Sequence, residues 1–206
     1  MSRRLAATLF LLPALCLGRT VMIGDSMFSN NAVKNALEYY AGGNVTIENM
    51  ALVGASLHEG WVPSIPAEYS IMSKNPPPIT IVMDGGGNDV ISVKDDCVSF
   101  NDRCQQQIKE ATDILADLLE RMHEDKVQHV LLMGPYYLEN LKKAVDEGFK
   151  LLSNVCKNAT IDCHIADTRD LDPPLGDDGI HPIQEGYELL ATRIWEVKLD
   201  NDIPII

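Results

Sequence analysis

Positive charge is scarce in this chain. Seventeen lysines and arginines stand against 30 aspartates and glutamates, giving a formal charge of -13, and two of those few cations, Arg3 and Arg4, sit at the extreme N-terminus. A surface so acidic repels phosphate backbones and anionic membranes, so nucleic acid is not an expected partner. Long apolar runs are missing as well. The longest lies in "MSRRLAATLFLLPALCLG" and stops short of the roughly 20 apolar residues that a spanning helix needs. Two arginines, a short apolar stretch and small residues before a plausible cut site follow instead the grammar of a signal peptide. Residues 1–18 are read as that segment and 19–206 as the mature domain, exported to an extracellular or periplasmic space without stable membrane insertion. Losing Arg3 and Arg4 takes the charge from -13 to -15.

Cys-x-x-Cys spacing is absent too, and the nearby histidines make no convincing zinc ligand set, so neither a metal nor another cofactor is expected. Four cysteines remain after cleavage, Cys97, Cys104, Cys156 and Cys163. The even count suits disulfides in an oxidising compartment. Four cysteines allow three connectivities; the expectation is local pairing, Cys97 with Cys104 and Cys156 with Cys163, each closing a small polar loop. Asn44 and Asn158 head Asn-x-Thr sequons, which carry glycans only in a eukaryotic secretory pathway. No internal repeat, low-complexity tract or linker divides the chain. The mature segment therefore suits one domain with a single core, expected to be a monomer.

What is present is alternation. Thr20 to Ile23 reads as a strand, Asn31 to Ala41 as a helix, "NVTIEN" as a second strand, and Ala67 to Ser73 as a short helical stretch before a Pro-rich turn. "ITIVM" is a strongly apolar third strand that runs into glycines. Gln105 to Asp125 has the apolar spacing of a long helix, with Ile108, Ala111, Ile114, Leu115, Leu118 and Met122 repeating at threes and fours. "VQHVLLMG", a helix from Glu139 to Val155, a strand around "IDCHIAD" and a helix from Pro182 to Val197 complete the order. Strands alternating with helices imply an α/β fold with a parallel sheet covered on both faces. In such a sheet ligands gather beyond the carboxyl ends of the strands.

That rule brings four separated segments together. Ser26 follows the first strand, Gly54 the second, "GGGND" (Gly85 to Asp89) the third and "DDGIHP" (Asp177 to Pro182) the fifth. A serine hydroxyl becomes a useful nucleophile when a base removes its proton. His181 is the candidate base, and Asp178, three residues earlier, can fix its tautomer and angle. The N–H groups of Ser26 and Gly54 and the side-chain amide of Asn88 are candidate donors to an oxyanion. Each residue alone would pass for turn or cap chemistry; together, in one place, they point to acyl transfer. A Gly-x-Ser-x-Gly elbow is lacking, which argues against a conventional α/β-hydrolase.

The ordered set Gly24-Asp25-Ser26, Asn49-x4-Gly54, Gly86-x-Asn88-Asp89 and Asp178-x-x-His181 resembles the SGNH or GDSL hydrolase superfamily, and it runs from one end of the chain to the other. The resemblance implies a flavodoxin-like three-layer fold with a five-stranded parallel sheet in the order 2-1-3-4-5. It also implies metal-independent hydrolysis of esters or thioesters through an acyl-enzyme, with Ser26 as nucleophile, His181 as base, Asp178 as its partner, and Ser26, Gly54 and Asn88 around the oxyanion. Met27 stands where the family's naming motif has leucine, a change of similar volume. The compact, exported chain is most similar to the small lysophospholipase and thioesterase branch.

Substrate contacts are expected from His58, Trp61, Tyr136 and Tyr137, on loops after the second and fourth strands. Aromatic walls suit an acyl chain, and equally a sugar bearing an acetyl group, so lipid-like esters and glycan O-acetyl esters both stand as small-molecule partners. Two further classes are weighed: a carbohydrate-binding module on a hydrolase scaffold that no longer turns over, and a metal-dependent phosphoesterase built from Asp84, Asp89, Asp178 and His181.

Overall fold

Five short segments with extended backbone assemble into one sheet: β1 (Thr20–Ile23), β2 (Glu48–Asn49), β3 (Thr80–Met83), β4 (His129–Met133) and β5 (Asp162–Ala166). Every neighbouring pair is parallel and the order is β2-β1-β3-β4-β5, as the family resemblance implies. A computed structural model describes residues 18–206, so residues 1–17 of the expected signal peptide lie outside the described residues. Among the described residues no helix is long and apolar enough to cross a membrane.

The central strands are continuous apolar runs because both of their faces are covered. Alternate side chains divide between two cores. Val21, Ile23, Ile81, Met83, Val130 and Leu132 face one way, toward α3 (Ile65–Ile71), α6 (Asp102–Glu124) and α7 (Lys142–Asn158). Met22, Val82, Leu131 and Met133 face the other, toward α2 (Ala32–Tyr40) and α8 (Gln184–Asp200). Ala111, Leu115, Leu118 and Met122 are buried along α6, so the apolar stripe visible in the sequence is the face laid on the sheet.

Two expectations shift. The "NVTIEN" strand shrinks to Glu48–Asn49, because the N–H of Ile47 is taken by Glu38 Oε1 at 2.7 Å rather than by a neighbouring strand. Residues 87–99, left without structure in the sequence, form α4 (Gly87–Ile91) and α5 (Lys94–Ser99), while α1 (Ser26–Ser29) is a single turn after β1. Their brevity gives no periodic signal to read.

The disulfides pair locally, Cys97 with Cys104 and Cys156 with Cys163. They do not close polar hairpin loops. Cys97 and Cys104 are buried and staple α5 to α6, and Cys156 on α7 reaches Cys163 on β5. Each closes a loop with a sequence separation of 7, for which chain-entropy arguments give about 2 kcal/mol per bridge. Replacing either pair with serines is expected to lower the unfolding free energy by about that amount, measured by urea denaturation at constant slope.

Candidate active site

Ser26, the candidate nucleophile, is held by the turn that ends β1. Gly24 has φ +143°, and a Cβ there would lie 1.8 Å from Asp84 Oδ1, so only glycine lets the chain pass this close to β3. Asp25 donates its N–H to the same Asp84 oxygen at 2.8 Å and caps α1 by accepting from the Met27 N–H at 2.9 Å. Ser26 is thereby fixed as the first residue of α1, at the mouth of a cavity. Its own N–H has no protein acceptor among the described residues.

His181 arrives from the loop after β5. Asp178 Oδ1 accepts the N–H groups of Ile180 and His181, both at 2.9 Å, and Asp178 Oδ2 lies 2.6 Å from His181 Nδ1. One carboxylate thus builds the turn and orients the ring it carries. Those hydrogen bonds, led by the one to the imidazole, hold the Asp178 carboxyl well below the usual range. With Nδ1 committed to Asp178, Nε2 faces Ser26 Oγ at 2.8 Å. The hydroxyl of the buried Tyr136 donates to the carbonyl of Ile180, pinning the turn from beneath.

Gly54 lies on the loop after β2 and Asn88 on the first turn of α4, which faces it. Asn88 donates from Nδ2 to the carbonyl of Ala55 at 2.7 Å, which uses one of its two amide hydrogens and locks the side chain against the Gly54 loop. Gly54 itself has φ +81°, a left-handed conformation that favours glycine. Two buried acids hold that loop in place. Glu68 on α3 accepts the Gly24 N–H at 2.8 Å and the Leu52 N–H at 3.1 Å, joining the Ser26 turn to the glycine loop. Asp89 accepts the N–H groups of Leu57 and His58 at 2.9 and 3.0 Å. Neither carries a signal in the sequence that marks it as a clamp. Glu68 reads as an ordinary first-turn acid, and its burial follows only from how α3 docks.

Burial sets the charge behind the serine. Asp25 is pushed upward by desolvation, and Asp84 well above the usual range by burial and by the neighbouring Asp25 charge. Both shifts favour the neutral form of the pair behind Ser26. Asp84, Asp89, Asp178 and His181 do not converge as a metal set: Asp84 and Asp89 are bonded to backbone N–H groups on two different loops, while Asp178 faces His181.

Of the four residues expected to touch substrate, Tyr136 alone lines the cavity shared by Ser26, Asn88 and His181. His58 is turned away. Its Nδ1 sits 2.6 Å from Asp89 Oδ1 and its Nε2 3.5 Å from Glu110, bridging α4 and α6. Trp61 is fully exposed, and the Tyr137 hydroxyl donates to Asp146 at 2.7 Å, outside the cavity wall. Loop position brought these three near the correct end of the sheet, but hydrogen bonding and exposure direct them elsewhere.

No protein-family model and no curated protein matches the sequence. Solved structures do match. A lipase from a goat rumen metagenome superimposes with a TM-score of 0.69 at 18% identity, over 87% of this chain and 97% of the other. This is the SGNH hydrolase fold. A carbohydrate esterase family 3 protein from Talaromyces cellulolyticus gives 0.68 at 16% identity, covering 90% and 100%. A protein assigned to the G-D-S-L lipolytic family of Desulfitobacterium hafniense gives 0.66 at 16%, covering 87% and 98%. At these identities the likeness is one of fold, and the chemistry of this SGNH-fold chain has to be argued from its own residues.

Glu68 offers a test of the clamp. Burial raises its carboxyl from 4.5 to about 8, against the two backbone N–H groups that favour the anion. The folded state therefore binds the extra proton, and the stability linked to it is full below pH 4.5 and lost as pH rises through about 8. Asp25 and Asp84 act in the same direction. The urea midpoint is expected to fall between about pH 5 and pH 9, and to fall less in Glu68→Gln, which cannot ionise; an equal fall in both proteins would remove Glu68 from this role.

Proposed function

We propose that the mature chain is an exported serine esterase that cleaves carboxylic esters, and activated thioesters by the same route, through an acyl-enzyme on Ser26. The reading is carried by one continuous line of contacts: Asp178 Oδ2 to His181 Nδ1 at 2.6 Å, and His181 Nε2 to Ser26 Oγ at 2.8 Å. His181 removes the Oγ proton as Oγ attacks the acyl carbonyl, and Asp178 stabilises the imidazolium that forms. The tetrahedral oxyanion is met by the N–H groups of Ser26 and Gly54 and by the second amide hydrogen of Asn88. Collapse expels the alcohol or thiol with the proton from His181. Water then attacks the acyl-Ser26 ester, again giving its proton to His181, and the carboxylic acid leaves as Oγ is reprotonated. No metal or organic cofactor has a role in these steps. The solved lipase and esterases of the same fold support the reaction class, and the two disulfides suit an oxidising compartment. A binding-only module is the weaker reading, because it leaves the ordered Ser26-His181-Asp178 line without a purpose.

Incubation with a fluorophosphonate is expected to add a single label by intact mass, absent in Ser26→Ala, with hydrolysis of p-nitrophenyl acetate lost in the same variant. Asn88→Ala is expected to lower kcat by roughly 10²–10³-fold with a smaller change in KM. Undiminished hydrolysis by Ser26→Ala would refute the mechanism.

A further inference from the structure

The cavity at Ser26 does not end at the catalytic loops. It continues inward between α6 and α7 with a volume of about 310 Å³. Ile108 and Ala111 wall it from α6, and Leu141, Val145, Gly148 and Leu152 from α7. Those four positions on and before α7 repeat every three or four residues, so they form one stripe, which at 1.5 Å per residue extends about 16 Å from the catalytic end. Thr112 is a polar residue of this inner wall, and its hydroxyl is already given to the carbonyls of Ile108 and Lys109 at 3.1 and 2.8 Å. Gly148 keeps the passage wide: a Cβ there would meet nothing nearer than Ile108 Cγ2 at 3.9 Å. Protein interiors are otherwise close-packed, and an apolar void of this size forfeits contacts that larger side chains would have supplied.

The direction of the channel relative to the chemistry assigns what it holds. His181 delivers its proton to the leaving group from a turn whose Asp178 is exposed, so the alcohol side of the ester faces solvent. The acyl side is left with the interior. We propose that the channel between α6 and α7 takes the acyl chain, making straight medium-chain fatty acyl esters the preferred substrates. The assignment rests on Ser26 being the nucleophile, as argued above. A sugar bearing an acetyl group has no use for such a passage: its two-carbon acyl group would fill only the mouth and leave the aliphatic walls behind it without contacts.

The experiment compares p-nitrophenyl acetate, butyrate, octanoate and decanoate. Over the shorter esters kcat/KM is expected to rise by roughly fourfold per added methylene, the factor for burying one CH₂, until the channel is full. Gly148→Leu and Ala111→Leu fill the passage from opposite helices, and each is expected to lower the octanoate-to-acetate ratio of kcat/KM at least about tenfold, the two variants guarding against a folding defect in one. Calorimetric titration of Ser26→Ala with sodium decanoate supplies a readout independent of turnover: binding is expected, and its loss when Gly148→Leu is added. A profile highest at acetate, an unchanged ratio in both filled variants, or no decanoate binding overturns the channel, while fluorophosphonate labelling of Ser26 would still stand. Turnover persisting in Ser26→Ala would overturn the nucleophile and with it the acyl assignment, even with decanoate bound.

Discussion

Backbone N–H groups in the loops beyond the strands have no neighbouring strand to bond to, and in this protein buried or turn-forming carboxyl groups accept them. Glu68 takes those of Gly24 and Leu52, Asp84 that of Asp25, Asp89 those of Leu57 and His58, and Asp178 those of Ile180 and His181. An unmet buried donor costs about 1–3 kcal/mol, so the loops are held where the acids stand. Glu68, Asp89 and Asp84 in turn stand on α3, α4 and at the end of β3, whose positions are fixed by the apolar packing of the sheet, while Asp178 lies within the turn it builds. The geometry of the Ser26 and Asn88 segments is therefore inherited from the core through a small number of carboxyl oxygens. The acidity of the chain, which reads as solubility in the composition, is in part this internal scaffolding.

Packing and chemistry are divided between different parts of the fold. Ser26, Asn88 and His181 come from segments that follow β1, β3 and β5, all at one end of the sheet. The proposed acyl channel is made mainly by helices, starting at Leu141 where α7 begins and running inward to Leu152. Changes on α6 and α7 can therefore alter what is accepted without moving the atoms that react.

Much of this was legible beforehand, for physical reasons. β1, β3 and β4 are unbroken apolar runs because they are buried on both faces, and α6 shows its stripe because it is long and half-exposed; both patterns survive in any single sequence. Elements of two to six residues, such as β2, α4 and α5, are too short to carry a period, and they emerged only from the fold. The same division holds at the site. Ser26, Asp178 and His181 could be named because their spacing is local or their motif is ordered, and the structure brings them within hydrogen-bond reach. His58, Trp61 and Tyr137 were drawn to the cavity by loop position alone, which fixes where a residue is but not which way its side chain turns. Glu68 left no trace, since a buried clamp and a solvated first-turn acid look alike until the helix is docked.

The Cys97–Cys104 bridge packs in the same apolar cluster as Ile108, Leu141, Ala144 and Val145. It braces the wall of the helical passage, and Val90 and Ile91, on the short helix that carries Asn88, pack against the same cluster. Reducing surroundings would then loosen the wall of that passage, while the carboxyl groups that hold the strand-end loops are untouched by a change of redox state.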